Sequence, residues 1–265
     1  MKRGFLAGVV LFALTGCATE PGSISIFTPK PESAQAALEY YYDTIPDSAL
    51  PKAPAGKSLP ASDAVISKVL LGSCLDEEKG PSAALMSLAN EEADMFLMVG
   101  DNVYGERDGP AYVNNDPDLE ELQESFTDLA AREDFQRVRQ NIPMMVAWDD
   151  HDFGANDGGW NFPFRSYAER IHEVFWGLDD QDVGQWPGTY YARTFGPEGL
   201  RTQVIMLDTR FFRAELTPTD DWGARGKERY LPAPEGSMQD MLGAALWTWL
   251  ENQLQQAADI RLIAS

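Results

Sequence analysis

Positive charge, histidine and cysteine are all scarce in this 265-residue chain, and each scarcity excludes something. Twenty-one basic residues face 42 acidic ones, giving a formal charge of -21. So strong a negative field repels polyanions and leaves no basic stripe for a phosphate backbone, which excludes a nucleic-acid scaffold. The same excess suits a soluble exported protein and attracts divalent cations, although most of the acids read as solvated surface. The two cysteines are Cys17 and Cys74. If Cys17 is modified or lost, Cys74 has no intramolecular disulfide partner even in an oxidising compartment. Its thiol is then either a small buried apolar group or a metal ligand or reactive group. Against these shortages, 44% hydrophobic and 11% aromatic residues are enough for a substantial core, in one large domain or two small ones.

Lys2 and Arg3 precede an apolar run, Phe5 to Leu14, too short to span a bilayer but matching the core of a secretory signal. Leu14, Thr15, Gly16 and Cys17 follow, a small-residue pattern that resembles the bacterial lipobox. Residues 1–17 therefore read as a lipoprotein signal peptide, with lipid on Cys17 as the membrane contact and a periplasmic or cell-surface location. An ordinary signal cut nearby, with Cys17 discarded or idle, is the alternative. Residues 18–60 mix Pro, Ser, Ala and Thr around one helical patch, Ala34 to Tyr42, as expected of a tether and approach segment.

From about residue 61 to 265 the pattern alternates. Short apolar runs predict strands at Ala64 to Leu71, Met95 to Val99, Pro143 to Trp148 and Gln203 to Leu207, with a further strand at Tyr190 to Phe195 that could pair with the next. Helical spacing predicts helices over Ser82 to Glu92, Asp118 to Arg139 (broken once) and Phe164 to Phe175. A last helix carries Leu242, Ala245, Leu246, Trp249 and Leu250 on one face, with Ser237 and Asp240 as a capping box. Asp259 to Ser265 resembles the start of another strand, and because folds rarely stop on an interior strand, a truncated domain is the expectation.

Polar groups cluster just after the apolar runs, where an open α/β sheet gathers its ligand site. They are Gly72, Ser73, Cys74; Gly100, Asp101, Asn102, Val103, Tyr104; Trp148, Asp149, Asp150, His151, Asp152; and Asp208, Thr209, Arg210. A thiolate, a phenolate, an imidazole and carboxylates together suit a transition ion beside a harder cation such as calcium. Asp149, Asp150 and Asp152 crowd one loop, where repulsion is costly unless a cation or solvent compensates; a solvated acidic turn is the plainer reading.

Gly-Ser-Cys at 72–74, Gly-Asp-Asn-Val-Tyr-Gly at 100–105, Trp-Asp-Asp-His-Asp-Phe-Gly at 148–154 and Leu-Asp-Thr-Arg at 207–210 resemble, in order and spacing, the PhoD-like phosphatases (alkaline phosphatase D) of the metallophosphoesterase superfamily. The resemblance implies an α/β fold, a β-sandwich flanked by helices (αββα), here incomplete at the C-terminus. It also implies Fe3+ beside Ca2+ or another divalent metal. Cys74, Asp101 and Tyr104 would approach the ferric ion, Asp101 would bridge to the second metal, Asp150 would stand where the wider class uses an Asn ligand, and Asn156 is a weaker candidate on the same rim. His151 would face the phosphate and Arg210 would hold one of its oxygens. A complete enzyme of this kind should supply a later Gly-Asp-x-His-like segment, yet the only histidines are His151 and His172, and His172 lies among apolar helix neighbours.

The expected activity is metal-dependent hydrolysis of small phosphate esters, mono- or diesters, by a metal-activated water. A phospholipase D-like diesterase and a non-catalytic calcium-binding lipoprotein are the alternatives. Two features have plain readings: the aromatic stretch Trp160 to Phe175 as core, and the cations Arg225, Lys227 and Arg229 near Trp222 as exposed charge, or else as contacts for an anionic substrate.

Overall fold

The longest uninterrupted apolar strand run, Met95–Val99 (β2), lies between β1 (Val69–Gly72) and β3 (Met144–Ala147) and pairs parallel to both, Leu71 opposite Leu97 and Met98 opposite Val146. A central parallel strand is covered on both faces, which is why its residues do not alternate in polarity. These coordinates come from a computed structural model, which describes residues 33–178, 183–235 and 240–265. Residues 1–17, with the lipobox and Cys17, lie outside the described residues, as does Ser237. Strand β1 starts later than the apolar run because Asp94 accepts hydrogen bonds from the amides of Ser67 and Lys68 at 2.7 and 2.9 Å, so those donors serve a side chain in place of the ladder.

A second sheet has the order β4 (Tyr191–Phe195), β5 (Thr202–Met206), β6 (Ile260–Ala264), antiparallel then parallel. Strand β5 is buried throughout and divides its side chains by the period of two. Val204 and Met206 join the main core with Met95 to Met98, Met145 and Trp148, while Ile205 joins Leu242, Leu246 and Leu250 on the other face. The sheets meet where the Tyr191 hydroxyl accepts from the Val146 amide at 2.9 Å and donates to the Val146 carbonyl at 3.0 Å. The architecture is thus α/β, two three-stranded sheets sharing a core with helices outside them.

Seven α-helices stand among the described residues: α1 Ala34–Tyr42, α2 Ala83–Leu88, α3 Glu120–Ala131, α4 Glu133–Asn141, α5 Asp150–Phe153, α6 Arg165–Trp176 and α7 Gly243–Leu254. The expected break falls at Arg132, whose backbone is extended and whose guanidinium reaches Asp134 at 2.7 Å and the Asp76 carbonyl at 2.8 Å. On α6, Phe164 and the stripe Tyr167, Ala168, Ile171, Phe175 are buried as the spacing predicts, and Gly177 ends the helix at φ 69°. Helix α7 buries a narrower stripe than expected, Leu242, Leu246 and Leu250, with Ala245 exposed. Residues 34–54 pack onto the domain: Tyr42 stacks on Tyr167 at 4.2 Å, the Ala53 amide donates to the Phe175 carbonyl, and Arg139 donates to the Pro54 carbonyl. No described helix is long and apolar enough to cross a membrane.

Candidate metal centre

Strands β1, β2 and β3 run parallel, so their carboxyl ends deliver three loops to one rim. The first two are locked together by backbone: the Cys74 amide donates to the Gly100 carbonyl at 3.3 Å and the Leu75 amide to the Asp101 carbonyl at 2.8 Å. Cys74 (φ 57°) and Asp101 (φ 50°) both adopt the left-handed conformation, which costs a side-chain-bearing residue about 1 kcal/mol or more. Such strain persists where surrounding structure demands it. Here it brings the Cys74 sulfur to 3.4 Å from Asp101 Oδ2. The thiol is exposed, so the reading of Cys74 as a buried apolar group is overturned.

The third loop begins at Asp149, which caps α5 through a reciprocal capping box with Asp152. Asp152 is fully buried and accepts from the amides of Asn102, Asp149 and Val103 at 2.8, 2.9 and 3.2 Å, so it fastens the second loop to the third and has no part in the open rim. Burial raises its pKa against the pull of those amides. The fastening turns Asp150 and His151 toward Asp101. Asp101, Asp150 and His151 each offer a ligand atom within 4.8 Å of the others, a possible metal-ligand group. Asp101 Oδ1 is buried and has no hydrogen-bond partner among the described residues, as suits a carboxylate oxygen that ligates a cation. Burial raises the Asp101 pKa, opposed by His151 and helped by Asp150 and Asp149. The carboxylates of Asp101 and Asp150 therefore fit a bound cation.

Tyr104 packs its ring on His151 at 4.1 Å and lies beneath the Arg107 guanidinium at 4.0 Å. Its phenol neighbours Asp101 and Cys74; burial first, then those two groups, push its pKa up, so ionisation there needs a compensating positive charge. Asn156 is exposed, bonds Asp157 at 3.2 Å, and lines the cavity that His151 also lines; among the described contacts it does not reach the carboxylate group.

His151 Nδ1 bonds Glu106, a buried carboxylate that motif reading passed over although it directly follows Gly105. Burial pushes Glu106 up, and Glu106 in turn joins Asp150 and Asp101 in outweighing the effect of burial on His151, which is held above the ordinary imidazole value. With Nδ1 engaged by Glu106, the remaining ring nitrogen is Nε2. Arg210 enters from the second sheet: Asp208, fully buried, accepts from the amides of Arg210, Phe211 and Thr189 and fixes the turn. The guanidinium then meets Asp149 at 2.5 Å and Asp150 at 3.9 Å. Its Nη1 is buried without a partner among the described residues. The sequence places Asp149 on the rim, but its pairing with Arg210, 61 positions away, leaves no local trace. His172 is remote from all this, fully buried against Trp148 and Phe126 rings, as its apolar setting foretold.

Residues 69–170 match the family described as PhoD-like phosphatase. The fold is similar to a solved structure described as "Structure of PhoD", with a TM-score of 0.59 and 20% identity, covering 79% of this chain and 44% of that one. At that identity the likeness shows the fold alone, and this chain spans less than half the length of that protein. No curated protein matches. Over residues 69–170 this chain is similar to the PhoD-like phosphatases, and it shares the fold of PhoD.

Proposed function

We propose that this chain belongs to an exported, metal-dependent hydrolase of small phosphate esters, anchored by lipid on Cys17. The observation that carries this reading is the convergence of Cys74, Asp101, Tyr104, Asp150 and His151 on one rim beside Arg210. A thiol and a phenol suit Fe3+, and the carboxylates Asp101 and Asp150 suit a neighbouring Ca2+ or other divalent ion. When bound, such cations would acidify a water and offset the charge of the transferring phosphoryl group. Arg210, braced by Asp149, offers its unpartnered Nη1 to a phosphate oxygen. Glu106 holds His151 Nδ1, so His151 can pass a proton from Nε2 to the departing oxygen.

The test is metal content and turnover together. The intact chain should bind iron with a violet tyrosinate absorption and hydrolyse 4-nitrophenyl phosphate or its bis-ester; Asp101→Asn should lose metal and lower turnover more than about 100-fold with the fold retained. Calcium binding without iron or hydrolysis would instead leave a binding lipoprotein, and preference for a phospholipid over both soluble esters would leave a phospholipase D-like diesterase.

A further inference from the structure

Residues 217–231 form a hairpin that the catalytic reading does not use. It is closed by the Pro218–Tyr230 bridge and by the pairs Thr219 amide to Arg229 carbonyl (2.9 Å) and Leu231 amide to Thr217 carbonyl (2.8 Å). The hairpin is tied to the candidate metal loop through one residue. Asp157 donates its amide to Asp150 Oδ2 at 2.7 Å, and its carboxylate accepts from the Tyr230 hydroxyl at 2.7 Å and meets Arg229 at 3.3 Å. Trp222, on this hairpin, is 53% exposed, and Tyr112 is 72% exposed.

Both rings line the cavity of about 520 Å³ that His151 and Glu106 also line, together with Arg107 and Arg229. That size lies within the range of small-ligand sites. Large aromatic side chains that remain uncovered, one of them on a hairpin that Tyr230 and Arg229 tie through Asp157 to a ligand-bearing loop, are arranged for a partner with a flat face. The cations on this rim stand out in a chain of formal charge -21, and they complement an anionic ester. Resting on the phosphoester reading above, the geometry points to the hairpin as a substrate-recognition arm: Trp222 and Tyr112 stack on a planar aromatic group in the organic portion of the phosphoester, and Arg229 faces its negative charge. Asp157 is a positioning residue that couples the arm to Asp150.

Calorimetric titration of the metal-loaded full chain with phenylphosphonate, a nucleoside 5′-phosphonate and propylphosphonate, none of them hydrolysable, tests this apart from turnover. At least one aromatic ligand should bind about fivefold to tenfold more tightly than propylphosphonate, and the stronger of the two tells an aryl group from a nucleobase. The preference should vanish in Trp222→Ala and persist in Trp247→Ala, which removes an exposed tryptophan on α7 outside the cavity. Equal binding of all three ligands, or a preference that survives Trp222→Ala and Tyr112→Ala, overturns the arm alone. Binding to anionic phospholipid vesicles that depends on Trp222, without any aromatic preference, overturns it in favour of a lipid-surface contact. No binding of any phosphonate brings down the phosphoester reading, and the arm with it.

Discussion

Replacing His172 with Phe should remove a specific weakness to acid. His172 is fully buried on α6, its ring 5.5 Å from Trp148, 6.1 Å from Phe126 and 6.3 Å from Trp176, and neither nitrogen has a partner among the described residues. Burial pushes its pKa down to about 3. In the unfolded chain the imidazole returns to about 6.5. The folded state thus refuses a proton that the unfolded state accepts, so stability is full above about pH 6.5 and is lost progressively as pH falls toward 3. The loss from this group is about 0.1 kcal/mol at pH 7.5 and about 2 kcal/mol at pH 5. Because the folded imidazole is neutral throughout that window, the figure follows from the unfolded value and hardly from the depressed one. Other groups titrate too: burial pushes Glu169 up to about 8, a term of opposite sign that weakens the fold as pH rises from the ordinary carboxylate range through 8. Such terms are shared by parent and variant, and subtraction isolates His172. Urea unfolding of both proteins at pH 7.5 and 5 should show the stability of His172→Phe, relative to the parent, rising by about 2 kcal/mol at the lower pH, or a relative melting shift of about 4–8 °C. A difference between the proteins that stays constant within about 0.5 kcal/mol across that interval would refute the reasoning.

Three further outcomes follow from the geometry. Gly100→Ala should destabilise by about 2 kcal/mol or more and weaken cation binding, since φ is +89° and the new Cβ would sit 2.5 Å from Asp149 Cβ; chemical unfolding and metal titration check both effects. Tyr191→Phe should cost about 1–3 kcal/mol by leaving the Val146 amide and carbonyl buried without their partner, read from the unfolding midpoint at unchanged slope. Glu106→Gln should lower the pKa of His151, because Glu106 is the main group holding it up; where protonated His151 is needed, the alkaline limb of the kcat/KM profile moves to lower pH, and an unmoved limb would remove His151 as the proton donor.

Much of the fold was legible because burial leaves a periodic trace. The run Met95 to Val99, the stripe from Phe164 to Phe175 and the interruption near Arg132 are each visible as spacing alone. The ends of elements were less so: β1 begins at Val69 because Asp94, distant in sequence, captures the two preceding amides. Residues 34–54, whose composition suggests a tether, are pinned by guanidinium contacts, from Arg139 to the Pro54 carbonyl and from Arg170 to Tyr42, Ile45 and Asp47, that no local pattern encodes. The same contrast holds at the rim. Cys74, Asp101 and Asp150 could be named from their positions after strands, whereas Glu106 and Asp149 acquire a role only through His151 and Arg210, and those pairings depend on how three loops and a second sheet meet.

The left-handed turns at Cys74 and Asp101 set a limit on engineering. Glycine tolerates that geometry freely, so a directed-evolution campaign that rewards heat resistance alone would drift toward glycine at both places. It would harvest sturdier variants while erasing the sulfur and the carboxylate, and a campaign meant to preserve the cation pocket has to screen for metal uptake in every round.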